Sequence, residues 1–228
     1  MVARNAEGTA RRGFPRWAIA VLIAVVVLAL VAGVSIWYQM HPPTTAAAPS
    51  PSTSSAPAAV AGGDIPNGCL AGTSTSAAAL LVAATKAPHT EAGAVGLAAA
   101  FTRWAGQYPH PTTTDGERVV AALASTHADG SILDIPANIA AKKPRDGWVS
   151  GGVSFADGRY IVDGAGADQL TVTVGGAGIK NGLPIPDNTV VGTFMLVWEN
   201  GMWKLQSSLP ARTDENLFTN GAALAGGC

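Results

Sequence analysis

Residues 18–36 form a run of 19 positions that carries no charge and is apolar except for Ser35. As a helix rising about 1.5 Å per residue it spans about 28 Å, the thickness of a bilayer's hydrocarbon core. Trp17 stands at its start and Trp37 and Tyr38 at its end, so amphipathic rings fall at both water interfaces. The pattern predicts a membrane span over residues 17–38. Arg4, Arg11, Arg12 and Arg16 precede it, and no Lys or Arg follows before Lys86. The positive-inside rule therefore keeps residues 1–16 cytoplasmic and puts the rest of the chain outside. A secretory signal would be shorter and would end at a small-residue cleavage site, whereas this run ends in Ile36, Trp37 and Tyr38. A retained anchor in the cell membrane is expected.

Residues 39–63 contain five prolines, no Lys, Arg, Asp or Glu, and mostly Ala, Ser and Thr. Such a segment cannot bury enough apolar surface to offset its ordering entropy. It reads as a disordered linker, and a flexible chain of that length reaches roughly 25–30 Å. Whatever follows is then held off the bilayer on a tether.

Residues 64–228 are long enough for one domain with a real core. They hold ten Lys/Arg and fourteen Asp/Glu, a net charge of −4 against +3 for the tail. An acidic domain is a poor nucleic-acid binder, so none is expected as a partner. The strongest basic cluster is Lys142, Lys143 and Arg145, broken by Pro144. It reads as a solvated loop or, alternatively, as a contact for an anionic wall polymer or a protein partner. The two cysteines are Cys69 and Cys228, both on the expected outer side, where disulfides persist. A bridge between them would close nearly the whole domain into one loop, which the chain-entropy model values at about 5 kcal/mol.

Periodicity divides the domain into helices and then strands. Residues 91–108 place Val95, Ala98, Ala99, Phe101, Thr102 and Ala105 on one stripe, stopped by Pro109 and Pro111, with Trp104 as a core anchor. Thr114, Asp115, Gly116 and Glu117 have capping-box spacing for a second helix, and the Ala/Leu run at 76–85 is a third. After Gly147 the pattern becomes strand-like: 148–155 and 159–162 flank Asp157-Gly158, and 170–174 alternates Thr and Val. Residues 189–198 and 202–207 flank Asn200-Gly201, the signature of a type I′ hairpin turn. That register pairs Trp198 with Trp203 and Leu196 with Leu205. Phe194, Leu196, Trp198, Trp203 and Leu205 then share one face, while Lys204 and Gln206 point the other way. An apolar sheet face needs a cover, and the helices supply it. The expected fold class is α+β, a curved antiparallel sheet under helices, cystatin-like or nuclear-transport-factor-2-like. A small β-sandwich with an accessory helix is the alternative.

The sequence spells out no catalytic or metal-binding motif. His41, His89, His110 and His127 are scattered and form no HExxH spacing. Gly151-Gly152-Val153-Ser154 lacks the closing Gly of a nucleophile elbow. Gly164-Ala165-Gly166 and Gly175-Gly176-Ala177-Gly178 lack the Lys-Ser/Thr of a phosphate loop and read as turns between strands. Asp163, Asp168 and Asp187 could pair for acid–base work, but aspartate beside Gly and Pro is ordinary turn chemistry. No enzyme activity and no cofactor are expected.

The Arg-rich tail, single span, Pro/Ser/Thr linker, Gly68-Cys69 start and Phe101-Thr102-Arg103-Trp104 motif resemble small actinobacterial membrane proteins of uncharacterised domain type associated with conjugative elements. The helix-then-sheet order with Trp203-Lys204-Leu205 in its last hairpin is similar in architecture to bitopic assembly subunits of type IV secretion and conjugation machines. Mammalian-cell-entry-associated proteins share that layout. These resemblances imply a non-enzymatic, membrane-anchored scaffold that binds other envelope proteins. The alternatives are an accessory of a lipid or solute transport complex with a ligand-holding pocket, and an envelope enzyme. Self-association into a homo-oligomer is compatible with each.

Overall fold

In a computed structural model that describes residues 65–164 and 166–228, the first half of the domain is helical. Ser76, Thr90 and Thr112 stand in extended backbone, and their side chains accept hydrogen bonds from the amides of Ala79, Gly93 and Asp115. These caps start α1 (Ala77–Lys86), α2 (Glu91–Gly106) and α3 (Thr113–Leu123). The cap of α3 is therefore Thr112 rather than the expected Thr114. The hydroxyl of Thr112 also donates to Asp115 Oδ2 at 2.8 Å, so the cap and its acidic partner lie two residues earlier than expected. Two short helices that the pattern did not announce follow. They are α4 (Gly130–Leu133), capped by Asp129, and α5 (Ile135–Ala140), with Pro136 in its first turn.

α2 differs from its expected one-sided stripe: it is buried from Gly93 to Trp104 without interruption, Arg103 included. A helix that is small or apolar nearly all round has no solvent face to present. It becomes the central element, with α1 on one side and the sheet on the other.

The sheet is built from β1 (Gly151–Asp163), β2 (Gln169–Lys180), β3 (Leu183–Glu199), β4 (Met202–Leu209) and β5 (Ala222–Ala223), with α6 (Asp214–Asn220) before the last strand. All neighbours are antiparallel in the order β4-β3-β2-β1-β5, which makes the domain α+β. The β3–β4 register pairs Trp198 with Trp203 and Leu196 with Leu205, as the alternation requires. Asn200 and Gly201 have φ of 52° and 79°, the positive values a type I′ turn demands. Asn181 and Gly182 make the same turn between β2 and β3, at φ of 52° and 81°.

Two glycine-rich readings change. Asp157-Gly158 does not separate two strands, because β1 continues through it as a wide bulge: Ser154 pairs with Ala177, and the next pair is Arg159 with Gly175. Gly175 to Gly178 is not a turn either, since it lies inside β2. A Cβ on Gly176 would overlap the Ser154 carbonyl, and one on Gly175 would overlap Leu217 of α6. Glycine here permits the close approach of a neighbouring strand on one face and a helix on the other.

Both sheet edges are covered. On the β4 side, Ser125 N–H donates to Leu205 O at 2.9 Å and Asp129 N–H to Gln206 O at 3.0 Å, so residues 124–129 run along the edge. On the β1 side the C-terminal segment settles into the bulge. Leu224 N–H donates to Gly158 O, and Phe155 N–H donates to Cys228 O. Cys228 there forms the disulfide with Cys69, their Cα atoms 5.6 Å apart. The bridge thus ties the start of the domain to the tail that closes its last edge.

Among the described residues no helix is long and apolar enough to cross a membrane. The expected span at 17–38, with Trp17, Trp37 and Tyr38, and the linker at 39–63 lie outside the described residues.

Candidate functional site

An apolar opening lies between α2, the α4–α5 pair and strands β3 and β4. Phe101, Thr102, Trp104, Ala105 and Gly106 of α2 form one wall, and Ile132, Ile135, Asn138 and Ile139 of α4 and α5 form the second. Val190, Gly192 and Phe194 of β3 line the sheet side, and the cavity holds about 340 Å³. That is the lower end of the range for small-molecule sites. In the aromatic floor Phe101 meets Phe194 edge-on at 5.2 Å with planes at 85°, and Trp104 at 5.5 Å with planes tilted by 43°.

The polar side chains of the lining belong to Thr102, Trp104, Ser131, Asn138, Lys142 and Ser208. Thr102 Oγ1 donates to Ala98 O at 2.8 Å, and Ser131 Oγ accepts from Ser208 N–H at 2.7 Å, so both are engaged within the fold. Trp104 is different. It is 1% exposed and contributes to the lining, but its Nε1–H is buried away from the opening without an acceptor. An orphaned buried donor is uncommon and costs of the order of 1–3 kcal/mol. Lys142, just past α5, stands at the rim, where its Nζ donates to Ala105 O at 3.2 Å. Partial burial lowers the pKa of this ammonium, and the nearby charge of Arg145 lowers it further.

The cluster foreseen as a loop is thus divided by the fold. Lys142 turns to the cavity. Arg145 lies over the ring of Trp148 at 4.6 Å, with Lys180 over the same ring at 5.6 Å. Lys143 is exposed. Beside Trp148 the side chain of Asn181 accepts from the amides of Val149 and Ser150, fixing the strand start against the β2–β3 turn. Val149 and Leu183 stand 81% and 70% exposed at this corner.

Of the described histidines and the aspartates singled out above, one pair comes together and the rest lie apart. His89 Nε2 lies 2.7 Å from Asp168 Oδ1, and its ring stacks on Trp198 at 4.2 Å. Asp163 is held by Arg212, His127 is exposed, and His110 packs edge-on to Tyr108. Asp187 has a positive φ of 51° and lines a separate depression with Asp157 and Asn188. Among the described residues no three His, Cys, Asp or Glu side chains are placed to hold a metal ion.

The cavity is invisible to motif reading because its walls come from five segments and consist of ordinary core residues. The signals that existed were the Asp129 cap and Pro136, which mark the two short helices forming its cover. Comparison with known protein families, curated proteins and solved structures finds no match to this chain.

Proposed function

We propose that this chain is a non-enzymatic binding domain of the cell envelope, tethered to the membrane by residues 17–38, whose cavity holds a small apolar ligand. The observation that carries this reading is the apolar opening of about 340 Å³ beneath α4 and α5, with the amide of Asn138 and the ammonium of Lys142 as the polar groups placed to address a guest. A helix layer over one face of a bulged antiparallel sheet supports a cystatin-like or nuclear-transport-factor-2-like cone, a shape suited to such an opening. On this reading the protein acts as the accessory of a lipid or solute transport complex, of the mammalian-cell-entry-associated type.

A second reading is the scaffold of an envelope assembly, such as the conjugative machines of actinobacterial elements. The corner formed by Val149, Leu183, Trp148, Arg145 and Lys180 favours it, because exposed apolar side chains beside stacked cations are a common makeup of protein contacts.

Photocrosslinking in living cells separates the two. A benzophenone amino acid replacing Ile135 should capture a small molecule or lipid, and one replacing Val149 should not capture a protein. Protein adducts at 149 with nothing at 135 would establish the scaffold instead. Silence at both positions would remove both readings.

A further inference from the structure

We propose that the cavity takes an amphipathic acid, with a medium-length acyl chain lying on Phe101, Ile132, Ile139 and Phe194 and a carboxylate at Lys142. This rests on the ligand-holding reading above and names the ligand class for the same site.

The tail follows from the walls. Thr102 and Ser131 are already bonded within the fold and the amide of Asn138 is exposed to solvent, so an apolar chain on the aliphatic and aromatic remainder of the lining replaces water at little polar cost. At roughly 30 Å³ per water-sized group, 340 Å³ gives room for about ten such groups, the length of a medium acyl chain. Each methylene moved out of water raises affinity roughly fourfold.

The head group follows from what the lining offers. The one charged group of the lining is Lys142, whose Nζ stands at the rim, whereas the Trp104 Nε1–H is fully buried and not presented to the cavity. Lys142 carries three protons, and the Ala105 carbonyl takes one of them. No carboxylate side chain is among the residues that line the cavity. A guest cation would therefore meet repulsion at Lys142, and a neutral alcohol would leave the ammonium without its counter-charge. An acid satisfies it with a charge-assisted bond.

The test uses the full chain in phosphatidylcholine nanodiscs and decanoic acid carrying a diazirine at the end of its chain. Irradiation should label peptides covering residues 101–106 and 131–142. Free decanoate should compete at least tenfold better than hexanoate, because four fewer methylenes are buried. The matching photoreactive alcohol should label about tenfold less, and Lys142→Gln should bring the acid down to the alcohol's level. Lys143→Gln, which changes a neighbouring cation outside the lining, should leave labelling unchanged. If acid and alcohol label these peptides equally and Lys142→Gln has no effect, the acid assignment is overturned while the ligand-holding cavity stands. If neither probe labels them, both are overturned.

Discussion

The guanidinium of Arg103 grips the carbonyl of Gly72: Nη1 donates to that oxygen at 2.6 Å, while Nη2 donates to Thr73 O at 3.0 Å. Arg103 is 5% exposed and has no carboxylate partner among the described residues. Burial pushes its pKa down. Neutral carbonyls therefore carry the work of a counter-ion, and the segment following Cys69 is fixed to the central helix.

Arg103→Ala should destabilise the oxidised protein by about 2–4 kcal/mol, since it strands two carbonyls and empties the space of the side chain's stem. Arg103→Met keeps the stem and removes a charge that is costly to bury, so it should lose less, about 1–2 kcal/mol. Urea unfolding of both variants measures the difference. An alanine variant within about 0.5 kcal/mol of the parent would mean that the fork contributes nothing.

The Cys69–Cys228 bridge joins residues 159 apart in sequence and pins the tail into the β1 bulge. Replacing both by Ser should cost about 2–5 kcal/mol, the range for native bridges. Because the same tail covers the β1 edge, the variant should also show faster amide exchange at Phe155 and Leu224, whose N–H groups bond across that contact. Uniform exchange would separate the bridge from edge protection.

Trp203 has no exposed surface and its Nε1–H donates to Pro88 O at 2.9 Å. Trp203→Ala should cost about 3–5 kcal/mol as a large core truncation. Trp203→Phe should cost about 1–2 kcal/mol, from smaller volume and a lost hydrogen bond. A loss under about 1 kcal/mol for alanine, in thermal or chemical unfolding, would place this face at a surface.

The hairpin around Trp203 was legible because its information is local. Asn200-Gly201 demands a turn, and the alternation on either side sets the register. Even so, Trp198 is only partly buried, and its outer side is capped by the stacked ring of His89, 109 positions earlier in the chain. That contact, like the bulge at Asp157-Gly158, depends on what the rest of the chain brings up. Glycine next to aspartate signals backbone freedom. Here it becomes a bulge, to which the tail ending in Cys228 is bonded through Leu224 N–H to Gly158 O and Phe155 N–H to Cys228 O. The cavity was not legible at all, since Phe101, Ile139 and Val190 read individually as core, and only the α4–α5 cover leaves room between them.

His110 provides the pH test. Its Nδ1 is buried without a partner, and Lys142 and Arg145 are close by. Burial first, and then those two positive charges, lower its pKa below the ordinary value of about 6.5, outweighing the backbone carbonyls of Gln107 and Lys143 that act the other way. The sign follows from proton counting. Below about pH 6.5 the unfolded chain takes up a proton at this site that the folded chain resists, so stability is full above that value. It falls as the pH drops towards the folded-state pKa. His110→Asn, which cannot charge, should flatten this part of the profile, so the stability difference between variant and parent should move in the variant's favour from pH 7.5 to 5. Parallel thermal melts across that window measure it, and because both proteins share every other titrating group, those contributions cancel. Curves that stay a constant distance apart would show that His110 titrates alike in the folded and unfolded chains.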